Sequence, residues 1–209
     1  MSVKVVVFDL WNTLIYDSSK ENHEKMARLL GFENRQEFWD YCDSYFFHRN
    51  QKFYDFLKEL IEEKNLPEET FDKIKELWED SKNYVNVFPE TISTLERLKK
   101  KHKLAIISNS AEEEANESLE KLNLKKYFDY IVLSCKVELA KPDPRIFQLV
   151  LDHFKVKLEE CVMIGDNLEV DVIPARMLGM KGILIDTRKK YLEYKDENWY
   201  ITSLNELKL

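Results

Sequence analysis

Five short stretches of this chain are apolar almost without interruption: residues 3–8, 104–107, 130–133, 161–164 and 182–185. They are too short for buried helices and rich in β-branched residues. They also lack the polar alternation of a strand with one wet face, so they fit strands covered on both faces, the pattern of a parallel sheet. Parallel strands need crossovers, usually helical. Pro89 opens one helical pattern, with Ile92, Leu95 and Leu98 at helical spacing and lysines in its last turn. Another follows Ser110, with Glu112, Glu113 and Glu114 where the helix dipole favours negative charge. A third carries Ile146, Leu149 and Val150. A fourth is predicted from Asp171, near its N-cap, through Pro174 in the first turn to Leu178, and Gly179 stops it. Strands alternating with helices predict an α/β fold built on a Rossmann-like doubly wound parallel sheet.

The stretch 18–84 has no strand-like run. It is heavy in charge and aromatics, and segments 53–63 and 71–82 place apolar residues at helical spacing. It reads as an inserted α-helical domain whose aromatic stripe is its own core. The expected organisation is a sheet core from residues 1–15 and 85–209 and a helical cap from 16–84. No repeat, low-complexity tract or flexible linker interrupts it.

Composition excludes several function classes. A net charge of −7 argues against a nucleic-acid partner, which needs a basic footprint, but leaves room for a small anionic substrate in a local positive pocket. Cys42, Cys135 and Cys161 are widely spaced and form no C-x-x-C pair, so buried inert thiols are expected rather than a zinc site or disulfide framework. No apolar run reaches bilayer-spanning length, and the first residues do not resemble a signal peptide. The expectation is a cytoplasmic protein, monomeric or homodimeric, with no membrane partner.

In open α/β sheets, ligands bind beyond the carboxyl ends of the strands. The first run delivers Asp9, followed by Leu10-Trp11-Asn12-Thr13-Leu14. The second delivers Ser108-Asn109-Ser110. Lys141-Pro142 precedes the third helix, and the fourth run ends in Gly165-Asp166-Asn167, with Asp171 five residues after Asp166. One sheet edge therefore gathers Asp9, Asp166 and Asp171 with a hydroxyl and a lysine. Clustered carboxylates repel unless a cation lies between them, and hard oxygen ligands suit Mg²⁺. A carboxylate can also serve as a covalent nucleophile, while Lys141 would neutralise charge on a transferring phosphoryl group.

In order and spacing, Asp9-x-Trp11-Asn12-Thr13, Ser108-Asn109, Lys141-Pro142 and Gly165-Asp166-x₄-Asp171 resemble the four motifs of the haloacid dehalogenase superfamily. The resemblance covers nearly the whole chain, and the helical insertion is similar to that family's first-position cap. It implies a Mg²⁺-dependent hydrolase acting on a small phosphorylated metabolite through an aspartyl-phosphate. Asp9 would be nucleophile and metal ligand, joined at the metal by Asp166 and the Trp11 carbonyl. Asp171 would bind the metal through water or orient Lys141. Ser108 and Lys141 would hold phosphoryl oxygens, while Thr13 and Asn109 would shape the loops around the phosphate.

One position departs from the pattern. Most phosphatases of the superfamily carry an acid/base Asp two residues after the nucleophile, and here that position is Trp11. Indole N–H is a donor with no proton to exchange near neutral pH. Three readings follow. The first is a phosphohydrolase favouring acyl or aryl phosphates, whose leaving groups need no proton, unless His23, His48 or Tyr16 of the insertion supplies one. The second is a 2-haloacid dehalogenase, whose branch carries an aromatic residue at that position but replaces the acid corresponding to Asp166. The third is a phosphate-ligand-binding or regulatory protein with weakened turnover.

Overall fold

The computed structural model describes residues 2–209 and opens with strand β1 (Val5–Phe8). The chain leaves through β2 (Ile15–Asp17) and passes through helices α1 (Lys20–Leu29), α2 (Arg35–Tyr45), α3 (Phe53–Glu63) and α4 (Thr70–Ser81). It returns through β3 (Val85–Val87). Strand and helix then alternate: α5 (Thr91–Lys99), β4 (Lys103–Ser108), α6 (Glu112–Lys121), β5 (Tyr130–Leu133), the short α7 (Ser134–Val137), α8 (Pro144–Phe154), β6 (Cys161–Gly165), α9 (Ile173–Leu178), β7 (Lys181–Ile185) and β8 (Tyr200–Ile201).

All five apolar runs form strands, in a six-stranded parallel sheet of order β5-β4-β1-β6-β7-β8. Its helices lie on both faces because the side chains of each strand alternate. Val6 and Phe8 pack with Leu104, Ile106, Val162 and Ile164 against Leu95 and Leu98 of α5 and Leu119 of α6. Val5 and Val7 pack with Ala105, Ile107 and Met163 against Ile146, Phe147 and Val150 of α8. Each such side chain, fully buried, contributes about 1.5–3 kcal/mol. The chain grows from β1 outward to β4 and β5, then crosses back to place β6 on the other side of β1. That reversal opens a crevice at the carboxyl end of β1, where open α/β sheets bind ligands.

Three local expectations need correction. The first crossover helix starts at Thr91 rather than Pro89, because the Thr91 hydroxyl donates to the Leu14 carbonyl at 2.8 Å and draws this residue inward. Ile92 is consequently 41% exposed, and Thr91, Thr94, Leu95 and Leu98 form the buried face. Asp171 is not an N-cap. It lies inside a π-helical turn, Leu168–Val172, capped by the Asn167 side chain, which accepts from the Glu169 and Val170 N–H groups. Pro174 does fall in the first turn of α9, and Gly179 ends that helix in the left-handed region (φ 101°). Strand β8 has no counterpart among the apolar runs, since two residues are too few for a periodic signal.

The inserted helices pack on one another around Met26, Phe38, Phe46, Phe56, Leu57, Leu60, Ile74 and Trp78. The aromatic stripe is thus the interior of this layer. Strands β2 and β3 pair antiparallel, Ile15 opposite Val87 and Asp17 opposite Val85, and form the two-stranded neck joining it to the sheet. Ala111 and Cys135 from the sheet domain complete the insertion's apolar cluster, and the Cys135 thiol donates to the Phe46 carbonyl at 3.6 Å. Ion pairs Lys82–Glu117 (2.9 Å) and Lys52–Glu113 (4.0 Å) cross the same seam. No helix among the described residues is long and apolar enough to cross a membrane.

Candidate active site

Asp9 follows directly on β1, and its N–H donates to the Ile164 carbonyl of β6 at 2.8 Å, which fixes its backbone. The next residues fold back on themselves. Leu14 and Ile15 N–H both reach the Leu10 carbonyl, Asn12 N–H reaches the Ile15 carbonyl at 2.6 Å, and Asn12 takes a positive φ of 59°. Asn tolerates that conformation better than most side chains. The turn brings the fully buried Thr13 hydroxyl to 3.1 Å from Asp9 Oδ2, where it donates.

Lys141 arrives from the opposite side. Its ammonium, 4% exposed as a residue, donates to Asp9 Oδ1 at 2.7 Å and to Asp171 Oδ1 at 2.6 Å. Asn109 holds this loop from both sides. Its amide oxygen accepts from Lys141 N–H at 2.8 Å, and its amide nitrogen donates to the Lys141 carbonyl at 2.9 Å. The side chain of Asn109 is therefore engaged by the Lys141 backbone. Ser108 ends β4 fully buried, and Ser110 donates to its hydroxyl at 3.2 Å.

Asp171 Oδ2 accepts from Asn167 N–H at 3.1 Å. Gly165 makes this turn possible: a Cβ there would lie 2.2 Å from Asp171 Oδ2, a spacing no side chain survives. Oxygen atoms of Asp9, Asp166 and Asp171 all lie within 4.8 Å of one another. Asp166 sits at the rim, where Arg188, from the loop between β7 and β8, donates to its Oδ2.

Electrostatics follow from this crowding. Burial, reinforced by the charges of Asp9 and Asp171, pushes the Asp166 carboxyl up to about 8, and Arg188 and Lys141 oppose the rise only in part. Burial also raises Asp171, to about 6, against the pull of Lys141. Burial alone would depress the Lys141 ammonium, but Asp171 and Asp9 override it and hold it charged, above its ordinary range. The carboxylates thus exceed the nearby positive charge. An all-oxygen donor set with surplus negative charge is what a hard divalent cation requires, so these residues fit Mg²⁺.

The structure brings together Asp9, Thr13, Lys141, Asp166 and Asp171, with Asn109 beside them as the support of the Lys141 loop. Trp11 packs its indole partly buried against the sheet core. Of the insertion residues considered for proton donation, two are placed elsewhere. His23 sits in the insertion interior, 3.3 Å from Asp17 and edge-on to Trp39, and burial lowers its pKa. The Tyr16 ring packs at a tilt against Phe88, at the end of the neck. Sequence reasoning passed over Arg188 and Asp43, the latter close enough to Asp9 and Lys141 for both charges to act on it. Neither belongs to a motif, and only the folded chain brings them near. A cleft of about 910 Å³ runs along the seam, lined by His48, Arg49, Lys52, Glu112, Glu113 and Cys135 among others, and none of the site residues lines it.

Residues 3–179 match the model of the haloacid dehalogenase-like hydrolases. A glyceraldehyde 3-phosphate phosphatase of Pyrococcus furiosus is 27% identical, over 98% of this chain and 91% of that protein. The chain spans about half the length of several other curated relatives, among them a Thermus thermophilus phosphoserine phosphatase, 30% identical over 63% of this chain and 53% of that protein. Among solved structures, a phosphatase from Thermococcus onnurineus superposes with a TM-score of 0.71 at 27% identity, covering 98% of this chain and 95% of that one. A 2-haloacid dehalogenase from Pseudomonas syringae superposes nearly as well, at 0.69 and 26%, covering 97% and 95%.

Proposed function

This chain belongs to the haloacid dehalogenase-like hydrolases, and from that premise we propose that it is a phosphohydrolase of small phosphorylated metabolites with Asp9 as nucleophile. The observation that carries the reading is the carboxylate triad: Asp166 is retained beside Asp9 and Asp171, with their oxygens within 4.8 Å. Displacement of halide from carbon needs no such set of acids, whereas a phosphoryl group with its negative oxygens needs a cation to approach an aspartate at all. Asp9, Asp166 and the Trp11 carbonyl would hold Mg²⁺. Bound there, the ion supplies positive charge that offsets the charge on the phosphoryl oxygens.

The remaining work falls to this chain's own residues. Asp9 attacks phosphorus in line with the leaving oxygen and forms an aspartyl-phosphate, which water then hydrolyses. The Thr13 hydroxyl fixes the Asp9 carboxylate so that one oxygen is aimed. Lys141 and the Ser108 hydroxyl bind phosphoryl oxygens, Asp171 keeps the Lys141 ammonium extended, and Asn109 keeps its backbone in place. The helical insertion covers the crevice, excludes water and meets the rest of the substrate. Relatives named as phosphatases support the reading.

A dehalogenase reading draws on the aromatic Trp11 and on the Pseudomonas syringae neighbour. One experiment separates the two. Phosphate release from acetyl phosphate and p-nitrophenyl phosphate is measured with and without Mg²⁺, alongside halide release from 2-chloropropionate, with Asp9→Asn as control. Mg²⁺-dependent phosphate release that disappears in the variant is the expected result. Metal-independent halide release would replace the proposal with dehalogenation, and neither product would favour a binding role.

A further inference from the structure

With an indole at position 11, nothing in the first motif can protonate a departing alkoxide or take a proton from the attacking water. The helical insertion contributes one group suited to the task. Three contacts triangulate its position. Cys42 of α2 is buried in the cluster that includes Ala111 and Cys135 of the sheet domain. Cys135, which donates to the Phe46 carbonyl, adjoins Ser134, whose hydroxyl accepts from Ser110 N–H in the loop after β4. Phe46, one turn after Asp43 at the same end of α2, is thus in direct contact with the segment that follows β5. The end of α2 is therefore seated beside the segments that follow β4 and β5, and Asp43 lies on it, next to Cys42 and one turn before Phe46.

Resting on the phosphohydrolase reading, we infer that Asp43 is the general acid and base of this enzyme, supplied by the insertion in place of the acid missing at Trp11. Asp43 is open to solvent, yet it is hemmed in by protein and sensitive to the charges of Asp9 and Lys141. The groups facing it are Asp40 on its own helix, His48 beyond it, and Asp9 and Lys141 from the sheet domain. Partial desolvation first, then Asp40, raises its carboxyl to about 6, with Lys141 and His48 pulling down and Asp9 adding to the rise. Such a carboxyl exchanges protons near neutral pH far more readily than an ordinary aspartate.

The proton balance closes. As Asp9 Oδ forms its bond to phosphorus and the bond from phosphorus to the leaving oxygen breaks, protonated Asp43 gives its proton to that oxygen and an alcohol departs. The Asp43 carboxylate then takes a proton from a water whose oxygen attacks phosphorus. The bond from phosphorus to Asp9 breaks, inorganic phosphate leaves, and both side chains return to their starting states.

The test compares wild type with Asp43→Asn, Asp43→Glu and, as a control on the same helix, Asp40→Asn, all with Mg²⁺. For Asp43→Asn the expectation is a burst of about one p-nitrophenol per enzyme from p-nitrophenyl phosphate, a trapped phospho-adduct on Asp9 by mass spectrometry, and turnover slowed about 10²–10⁴-fold. With glycerol phosphate, whose leaving group needs a proton, the same variant gives no burst. Wild-type kcat/KM for that substrate falls as pH rises, and this limb is lost in the variant. Asp43→Glu recovers part of the rate, whereas Asp40→Asn, which removes a charge that helps raise the Asp43 carboxyl, moves the pH limb lower and gives neither burst nor adduct. An active wild type with an equally active Asp43→Asn, lacking burst and adduct, overturns the assignment of Asp43 and leaves the phosphohydrolase reading intact. A wild type that releases no phosphate, or an Asp9→Asn variant that still does, overturns the reading itself and this inference with it.

Discussion

Lys141→Met tests the balance of charge on which the site depends. Methionine keeps most of the lysine's length and volume, so the change removes a charge more than it opens a cavity. The ammonium lost is buried and donates to two carboxylates, at 2.7 Å to Asp9 and 2.6 Å to Asp171. Asp9 and Asp171 then keep their negative charges without the ammonium that bridges them. Breaking a buried pair from one side costs about 3–5 kcal/mol, most of it the uncompensated charge left behind. The expected result, by urea unfolding at pH 7 in EDTA, is a loss of that size relative to wild type, with an unchanged denaturant slope.

The dependence on pH and metal sharpens this. Lys141 pulls the Asp171 carboxyl down, so without it Asp171 rises further above its unfolded value. An acid raised on folding contributes least stability at high pH, so the deficit of the variant shrinks as pH falls toward 5 and Asp171 takes up its proton. A divalent cation replaces part of the lost charge, so millimolar Mg²⁺ is expected to narrow the gap between variant and wild type. A variant as stable as wild type at pH 7 in EDTA would refute the reasoning, because the carboxylates would then have no need of Lys141.

Other expectations can be checked independently. Gly165→Ala forces a Cβ to within 2.2 Å of the present Asp171 Oδ2 position, so Asp171 must move. A stability loss of about 1–3 kcal/mol by urea unfolding is expected, with a displaced Asp171 in a crystal structure. Glu114 lies at the seam near Asp17, Lys82 and Glu117, and burial first, then Asp17, raises its carboxyl to about 8. The folded state therefore holds a proton that the unfolded state releases near 4.5, and Glu114 weakens the fold progressively as pH rises from about 4.5 to 8. Glu114→Gln is expected to gain on the order of 2 kcal/mol over wild type at pH 8 and little at pH 4, after allowing for screening by nearby solvent; equal gains at both pH values would contradict this. Cys42, Cys135 and Cys161 are buried, and burial raises all three thiols, Cys135 and Cys161 to about 12. A thiol reagent at pH 8 is expected to modify them only once denaturant is added.

What could be read from the chain by itself was whatever short-range pattern encodes. The continuous apolar runs announced buried parallel strands because a strand covered on both faces has no position to give to polar residues. Asp9, Ser108 and Asp166 were legible as site residues because each ends or directly follows such a run, and in a parallel sheet those ends share one edge. Strand β8 was not legible, since its two residues pair with β7 only after the sheet exists to receive them. The relations among site residues belong to the tertiary structure. Lys141 and Asp9 are 132 positions apart, and nothing local ties them; the loop clamped by Asn109 decides their contact. Whether Asp171 would cap a helix or hold Lys141 was equally open until the π-helical turn and the space left by Gly165 directed its carboxylate inward. Asp43 and Arg188 carry no motif, because a side chain that reaches a site from a docked helix or an edge loop is placed by how layers pack, and packing follows from the whole chain at once.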